Sequence, residues 1–127
     1  MPHYTAIVTL LAVLLYFFAA TRVAAARQKF GVKLPAIAGH PDFERVNRVH
    51  MNMLEWMPIF LPLLWLCALY FSDVAAALLG LVWIAGRAHY LVGYTEAVEK
   101  RRPGFFIQAM ACVLLLFGAI AGITRRF

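Results

Sequence analysis

The chain has 127 residues, of which 64% are hydrophobic and 14% are charged, and its mean hydropathy is +0.77. This composition excludes an ordinary soluble globular domain, in which about 25% of residues are charged. Since each helical membrane crossing takes roughly 20 residues, the chain has room for about four crossings and little else. We therefore expect one integral membrane domain over residues 1–127.

Four apolar segments predict membrane-spanning helices at about residues 4–26, 46–71, 74–100 and 104–123. Ser72 and Asp73 leave room only for a tight turn between the second and third helices, whereas a longer loop rich in Gly and Pro separates the first two. The uninterrupted apolar runs lack the two-residue alternation of a transmembrane β-barrel. The predicted fold is an all-α integral membrane protein, a four-transmembrane-helix bundle.

The first apolar segment has an alternative interpretation as a cleaved signal peptide, since Ala24, Ala25 and Ala26 resemble a small-residue cleavage site. Two observations favour a membrane-spanning helix instead. The first four residues contain no Lys or Arg, and the apolar run is longer than the core of a typical signal peptide.

The formal net charge of +6 comes from cations that gather near two of the predicted loops. They are Arg22, Arg27, Lys29, Lys33, Arg45 and Arg48 near the first loop, and Lys100, Arg101 and Arg102 near the third. The positive-inside rule places these loops in the cytoplasm and both termini on the opposite side, in a bacterial inner membrane or the endoplasmic reticulum. Membrane topology thus explains the positive charge without a nucleic-acid partner.

Polar residues in the second predicted helix follow helical spacing. Arg48, Asn52 and Glu55 are separated by four and three residues and should project from one face. A charge inside a membrane costs on the order of 3 kcal/mol, so such residues face a bundle interior, a partner or a polar ligand. One alternative is an ion pair between Arg48 and Glu55 that locks the bundle without a ligand. Pro58 and Pro62 also predict a bend beside this segment.

The third helix carries a second stripe, formed by Arg87, Tyr90, Tyr94 and Arg101 at intervals of three, four and seven residues. Arg binds carboxylates in a bidentate manner and Tyr offers a hydrogen-bond donor, so this stripe suits an anionic ligand. The alternative is an interfacial belt of aromatic and basic residues. That alternative accounts for the residue types but not for their shared face.

Two polar stripes that open on the same side of the membrane describe a site for a small, water-soluble molecule that carries carboxylates. Glutathione fits this description, because its carboxylates suit arginines and its amino group suits a carboxylate such as Glu55. Its thiol would titrate near pH 8.5 if unperturbed, and a nearby Arg would raise the thiolate fraction. An apolar electrophile could arrive through the membrane.

The remaining motifs are weaker. Cys67 and Cys112 lie within apolar spans and show no metal-ligand spacing, so we expect them to pack in the interior and predict no metal site. Gly118 and Gly122 form a GxxxG pattern, which permits close helix approach within or between subunits.

Two segments carry a resemblance to a known family: FERVNRVHMNMLEWMP at residues 43–58 and GRAHYLVGYTEAVEKRRPGF at residues 86–105. With these motifs in four-span order, the chain resembles the membrane-associated proteins in eicosanoid and glutathione metabolism (MAPEG), in the branch of microsomal glutathione S-transferase and leukotriene C4 synthase. The resemblance implies a homotrimer of four-helix subunits, with glutathione held at the subunit interfaces on the cytoplasmic side.

The resemblance also implies residue roles. It assigns Arg101 as the catalytic residue that stabilises the glutathione thiolate. The implied glutathione-binding residues are Arg27, Arg48, His50, Asn52, Glu55, Trp56, Arg87, Tyr90 and Tyr94. Three positions depart from the family pattern: Trp56 stands where a tyrosine often follows the glutamate, His50 where a glutamine can occur, and Gln28 where some relatives have a second arginine. The last departure argues against leukotriene synthesis.

The sequence therefore predicts an enzyme that forms the glutathione thiolate and adds it to lipophilic electrophiles, or uses it to reduce lipid hydroperoxides. One alternative is a non-catalytic lipid-presenting protein of the same fold. Another is a small proton-coupled multidrug exporter, but such proteins place their essential carboxylate in the first span, and residues 4–26 contain no Asp or Glu.

Overall fold

The computed structural model describes residues 1–94, 96–97 and 99–127, and in this part of the chain four long α-helices make up the protein. They are α1 (His3–Phe30), α2 (Pro41–Tyr70), α3 (Asp73–Glu96) and α4 (Arg102–Thr124), with a short 3₁₀-helix (Val98–Arg101) before α4. All four α-helices are long and apolar enough to cross a membrane. The predicted all-α bundle of four transmembrane helices is confirmed.

The first loop is shorter than predicted, because the helices on both sides of it extend further. Nothing breaks α1 until Gly31, which adopts a left-handed conformation at φ 67° and ends the helix. At the start of α2, Pro41 occupies the first turn, where its missing N–H costs nothing. His40 Nδ1 accepts a hydrogen bond from the main-chain N–H of Asp42 (3.1 Å) and caps the helix.

The third helix was predicted to reach residue 100, and this was wrong. It ends at Glu96, and Ala97 takes an extended conformation at φ −160° and ψ 146°. The chain then folds back on itself, so that a Cβ atom on Gly93 would lie only 2.4 Å from the carbonyl oxygen of Lys100. The residues after Glu96 include helix formers, so propensity alone does not explain the end of α3. The helix ends because the chain turns back, which brings Lys100 against Gly93 and starts α4.

The core is built where α2, α3 and α4 meet. The rings of Phe60 and Trp83 stack almost in parallel, with centroids 3.8 Å apart, and both residues are fully buried together with Leu64 and Leu115. The α2 helix runs unbroken through Pro58 and Pro62. Aromatic stacking and close van der Waals packing therefore join these three helices.

Hydrogen bonds tie the start of α1 to its neighbours. The main-chain N–H groups of Tyr4 and Thr5 donate to the carboxylate of Asp73, at 3.2 and 2.9 Å. Further along, Trp65 Nε1–H donates to Thr9 Oγ1 (3.0 Å). The first N–H groups of a helix have no partner inside it, so Asp73 of α3 caps α1 from outside.

Small residues bring α4 close to the other helices. A Cβ atom on Gly104 would lie 2.4 Å from the main-chain nitrogen of Tyr90 and 2.6 Å from the carbonyl oxygen of Gly86. The same atom on Gly122 would lie 2.6 Å from the carbonyl of Tyr70, and on Gly118 it would lie 2.9 Å from the sulfur of Cys67. The predicted GxxxG pair therefore packs within the chain, against the end of α2.

We expect Gly104→Ala to destabilise the protein more than Gly118→Ala. Both changes put a methyl group into α4, but at Gly104 the group meets main-chain atoms of α3, whereas at Gly118 it meets only side-chain atoms of Cys67 and Phe71. Overpacking of this kind costs about 1–3 kcal/mol. Thermal unfolding of both variants in the same detergent checks the difference, and equal midpoints would contradict the close packing of α3 on α4.

Candidate functional site

A cavity of about 680 Å³ opens where α2, α3 and the 3₁₀-helix meet the start of α4. Its lining residues are Arg48, Asn52, Tyr90, Tyr94, Arg101, Arg102, Phe105, Phe106 and Ala109. The volume lies in the range of small-molecule sites. The structure thus brings residues from both predicted polar stripes to one cavity.

Three other predicted residues do not line the cavity but contact residues that do. Arg87 donates to Asn52, and Glu55 accepts from Arg48. The ring of Trp56 packs edge-on against Phe105, with centroids 5.6 Å apart. These three side chains therefore influence the cavity indirectly, by positioning the lining residues that they contact.

Arg27 and His50 do not join the cavity of the same chain. Arg27 donates to the carbonyl of Ala36 (2.6 Å), and its guanidinium lies over the ring of Phe43 at 4.9 Å. His50 stacks on Tyr16 of α1, with ring centroids 4.9 Å apart. Within one chain, both residues serve packing against α1 and the first loop.

Arg87 is a buried guanidinium that organises the base of the cavity. Only 1% of the residue is exposed, and its Nη1 donates to Asn52 Oδ1 (2.6 Å) while Nη2 donates to the carbonyl of Val49 (3.4 Å). Because a guanidinium has only donors, the amide oxygen of Asn52 must face it, which leaves the amide NH₂ group for other partners. The guanidinium also lies 4.5 Å above the centroid of the Tyr90 ring. One residue therefore fixes two of the cavity's side chains.

The ion pair that the sequence suggested as an alternative is present. Arg48 Nη1 lies 3.1 Å from Glu55 Oε1. About half of each side chain is exposed, 47% for Arg48 and 56% for Glu55, so this pair is not an interior lock. In a membrane-spanning helix a half-exposed pair calls for polar cover from a ligand or another copy.

Aromatic rings form the wall between the cavity and the core. Tyr90 and Tyr94 stack at 5.4 Å, and Phe105 lies 6.1 Å from Tyr90. Within residues 1–94, 96–97 and 99–127, neither phenol hydroxyl makes a hydrogen bond. Both hydroxyls can therefore donate to a ligand.

Arg101 reaches the cavity although the helix predicted to carry it is interrupted. It ends the 3₁₀-helix, and the close approach of Lys100 to Gly93 brings this turn back over the end of α3. Lys100 itself points to Glu96, with 2.9 Å between Nζ and Oε2. Of the basic run, Arg101 and Arg102 line the cavity.

The α4 side of the cavity was not predicted from the sequence. Its members are Arg102, Phe105, Phe106 and Ala109, which follow i, i+3, i+4, i+7 spacing and share one helix face. That spacing was readable. The spacing did not single out this face, because apolar residues occur on every face of a membrane-spanning helix.

The chemistry of the cavity is that of an anion site. Its polar groups are guanidiniums, phenols and one amide, which donate hydrogen bonds and stabilise negative charge. The described residues contain no group of three or more His, Cys, Asp or Glu side chains that could hold a metal ion. The arrangement can bind carboxylates and stabilise an anion formed beside Arg101.

Comparison with known proteins gives matches along nearly the whole chain. The model of the MAPEG family matches residues 5–122. Microsomal glutathione S-transferase 2 of Mus musculus is 41% identical over 122 residues, which cover 96% of this chain and 83% of that protein. Leukotriene C4 synthase of Bos taurus is 38% identical over 120 residues (94% and 80%). An uncharacterized protein of Synechocystis sp. is 46% identical over 118 residues (93% and 86%).

We expect Arg87→Lys to destabilise the protein although it keeps the charge. A lysine ammonium lacks the fork that serves Asn52 and Val49 together, and a poorly satisfied buried charge costs about 2 kcal/mol or more. Arg22→Lys is the matched control, since Arg22 is only partly buried on α1. Unfolding in mixed detergent micelles measures both, and equal stabilities would show that the two hydrogen bonds of Arg87 carry little energy.

Proposed function

The chain belongs to the MAPEG family, and from this premise we propose that it is a membrane-bound glutathione transferase that conjugates glutathione to lipophilic electrophiles. The observation that carries the proposal is the cavity itself, where Arg48, Arg101 and Tyr94 meet at one end of four membrane-spanning helices. A polar, cationic cavity next to lipid suits a water-soluble anionic co-substrate and an apolar partner.

The charges around the cavity match those of glutathione. The tripeptide carries two carboxylates and one amino group, and the cavity offers three arginines, Arg48, Arg101 and Arg102, for the two carboxylates and the thiolate. Glu55, beside Arg48 and half-exposed, would accept from the amino group. The free amide NH₂ of Asn52 and the phenols of Tyr90 and Tyr94 supply neutral donors. No metal is required for this binding.

The proposed chemistry starts with the thiolate. With a pKa near 8.5, about 3% of a free thiol is ionised at pH 7. A cation beside the sulfur lowers the thiol pKa, so the Arg101 guanidinium raises the fraction of nucleophile while the proton leaves to solvent. The sulfur then attacks the electrophilic carbon and forms a C–S bond, and the displaced electron pair leaves with the leaving group or moves into the substrate.

The same thiolate supports reduction of lipid hydroperoxides. The sulfur attacks the peroxide oxygen, the O–O bond breaks, and the lipid leaves as an alcohol while the sulfur becomes a sulfenic acid. A second glutathione then forms glutathione disulfide and water. This activity needs the same cavity and one more glutathione.

We further propose that the working unit is a homotrimer, in which a neighbouring copy completes each site. Arg27 and His50 lie apart from the cavity of their own chain, at Phe43 and Tyr16. If they contact glutathione, as the family resemblance implies, they do so at the cavity of another copy. The half-exposed pair of Arg48 and Glu55 would obtain its polar cover at the same interface.

We propose that the cavity lies on the cytoplasmic side of the membrane. The cavity contains Arg101 and Arg102, and basic residues also flank the loop between α1 and α2. Positive charge marks the cytoplasmic ends of membrane helices, where glutathione would be at hand. The Asp73 end of the bundle would then face the opposite side.

We expect Arg101→Ala to abolish thiolate formation while glutathione still binds. The ultraviolet difference spectrum of the solubilised protein with glutathione near neutral pH reports the thiolate directly, without a choice of electrophile. The band should fall to the level of about 3% expected for a free thiol at pH 7, and conjugation should slow by about a hundredfold or more. Lys100→Ala is the control, because Lys100 is paired with Glu96 and does not line the cavity.

The outcomes separate three cases. A thiolate band in the unaltered protein and in Lys100→Ala, but not in Arg101→Ala, supports the mechanism. Glutathione binding without a thiolate band in the unaltered protein would remove Arg101 as the activating residue. Absence of glutathione binding would contradict the transferase proposal and favour the lipid-presenting alternative.

Co-expression of Arg27→Ala with Arg101→Ala tests the shared site. We expect each variant alone to lose most activity, and mixed oligomers to recover it, because some interfaces combine an intact Arg27 from one copy with an intact Arg101 from the next. In a cyclic trimer that contains both variants, one of the three interfaces combines the two intact residues, so about one third of the sites in the mixed oligomers are intact. Two tags and sequential purification isolate the mixed oligomers. No recovery would mean that both residues act within one chain.

A further inference from the structure

A second cavity lies between the ends of α1 and α2, and the end of α3 borders it. Its volume is about 470 Å³, within the range of small-molecule sites. None of its described lining residues belongs to the cavity that contains Arg101. This α1–α2 pocket is lined by three basic residues, two acidic residues and an apolar wall: Arg22, Lys29 and Arg45, Asp42 and Glu96, and Val46 with two alanines.

Both acidic residues of the α1–α2 pocket already have a basic partner. Asp42 forms an ion pair with Arg45, one turn further along α2. Glu96 pairs with Lys100, with 2.9 Å between Oε2 and Nζ, and Lys100 does not line the pocket. The two carboxylates are thus balanced by these two cations, and they do not compensate the other positive charges of the pocket.

Arg22 and Lys29 carry the remaining positive charge. Neither makes an ion pair or a hydrogen bond in the part of the chain that the structure describes. The Arg22 guanidinium lies 6.0 Å from the centre of the Phe18 ring, and the Lys29 ammonium lies 5.3 Å from the centre of the Phe30 ring. These ring contacts orient the two cations without neutralising them, so the pocket can accept an anion.

The α1–α2 pocket lies at the membrane surface. With 28 residues, α1 is about 42 Å long at 1.5 Å per residue, whereas the hydrocarbon core of a bilayer is about 30 Å thick. The last turn of α1 therefore lies in the headgroup layer, where Lys29 is exposed. Arg22 is half-buried and lies about 10 Å closer to the membrane centre, at the boundary between headgroups and hydrocarbon.

An apolar surface continues from Arg22 into the membrane. Phe18, Leu14 and Leu11 precede Arg22 by four, eight and eleven residues, a spacing that puts them along one side of α1. All three side chains are exposed. The cationic pocket and this apolar strip together match a molecule that has an anionic head and hydrocarbon chains.

We propose that the α1–α2 pocket binds the headgroup of an anionic phospholipid. The Arg22 guanidinium holds the phosphate through two parallel hydrogen bonds, Lys29 adds a second positive charge from the water side, and the acyl chains lie along Phe18 and Leu14. Basic pockets between membrane helices suit such headgroups. The bound lipid joins α1 to α2 at the membrane surface.

This lipid site is separate from the proposed glutathione site and from the proposed contact between copies. Arg27 follows Arg22 by five residues, so at about 100° per residue it lies on a different side of α1. A lipid can therefore occupy the pocket whether or not the protein transfers glutathione.

Native mass spectrometry of the protein in a nonionic detergent tests the proposal, because it counts the lipids that stay bound at each lipid concentration. The probes are dioleoylphosphatidylglycerol, which carries a net negative charge, and dioleoylphosphatidylcholine, which has the same chains and a neutral headgroup. We expect the first lipid to bind the unaltered protein more tightly. Arg22→Gln and Lys29→Gln should each weaken its binding about fivefold and change the binding of the second lipid less than about twofold.

Lys33→Gln is the matched control. Lys33 is exposed, follows Lys29 by four residues and does not line the pocket, so this change removes the same charge nearby and should leave lipid binding unchanged. An equal loss in Lys33→Gln, or equal binding of both lipids by the unaltered protein, would overturn the proposal and leave Arg22 and Lys29 as general surface charges. Because Lys29 is exposed, Lys29→Gln tests the pocket even if Arg22→Gln does not fold.

Two soluble anions decide whether the pocket takes a lipid. Glycerol 3-phosphate carries a phosphate without acyl chains, and glutathione carries carboxylates. We expect neither to displace phosphatidylglycerol in large excess, and we expect Arg22→Gln to bind glutathione as the unaltered protein does. Displacement by either anion would overturn the lipid assignment. Lipid binding in a protein that binds no glutathione would contradict the transferase proposal alone and leave the lipid site in place.

Discussion

A guanidinium buried inside a membrane protein is the constraint on which the cavity depends. A buried guanidinium needs acceptors in this environment, and Nη1 and Nη2 of Arg87 find them in the side chain of Asn52 and the carbonyl of Val49, while its Nε–H has no partner among the described residues. These two contacts join α3 to α2 and fix the position of one helix along the axis of the other. The position of the Tyr90 ring is fixed as well, because the ring lies under the same guanidinium. The positions of these cavity residues are therefore consequences of one buried charge and its partners.

The sequence predicts the part of this arrangement that depends on periodicity. Helical spacing put Arg48 and Asn52 on one face and Tyr90 and Tyr94 on another, and the structure brings all four to a common cavity. Spacing alone could not show that Asn52 turns inward to Arg87 while Arg48 turns to Glu55. Asn52 meets its partner across the interface with α3, whereas Arg48 meets its partner on the same helix.

Other features depend on packing that no single segment encodes. The end of α3 at Glu96 follows from the approach of Lys100 to Gly93, a contact between residues on either side of a turn. The α4 face went unnoticed because Phe105 and Phe106 have the same character as residues in contact with lipid. Arg27 was assigned to the site by family resemblance, and within one chain it lies beside Phe43. A family resemblance can assign a residue to a binding site, but it does not say which copy of the chain supplies that residue to the site.

The tether at the start of α1 has a mechanical consequence. Asp73 and Trp65 hold the helix near Tyr4 and Thr9, whereas Arg27 lies near its other end, about 35 Å away at 1.5 Å per residue. A rigid rod that pivots at one end moves most at the other, and one degree of tilt about the tether would displace Arg27 by about 0.6 Å. The position of Arg27 is therefore sensitive to the tilt of α1, and that tilt is held by the tether at Asp73 together with the contacts of Tyr16 with His50 and of Arg27 with Phe43.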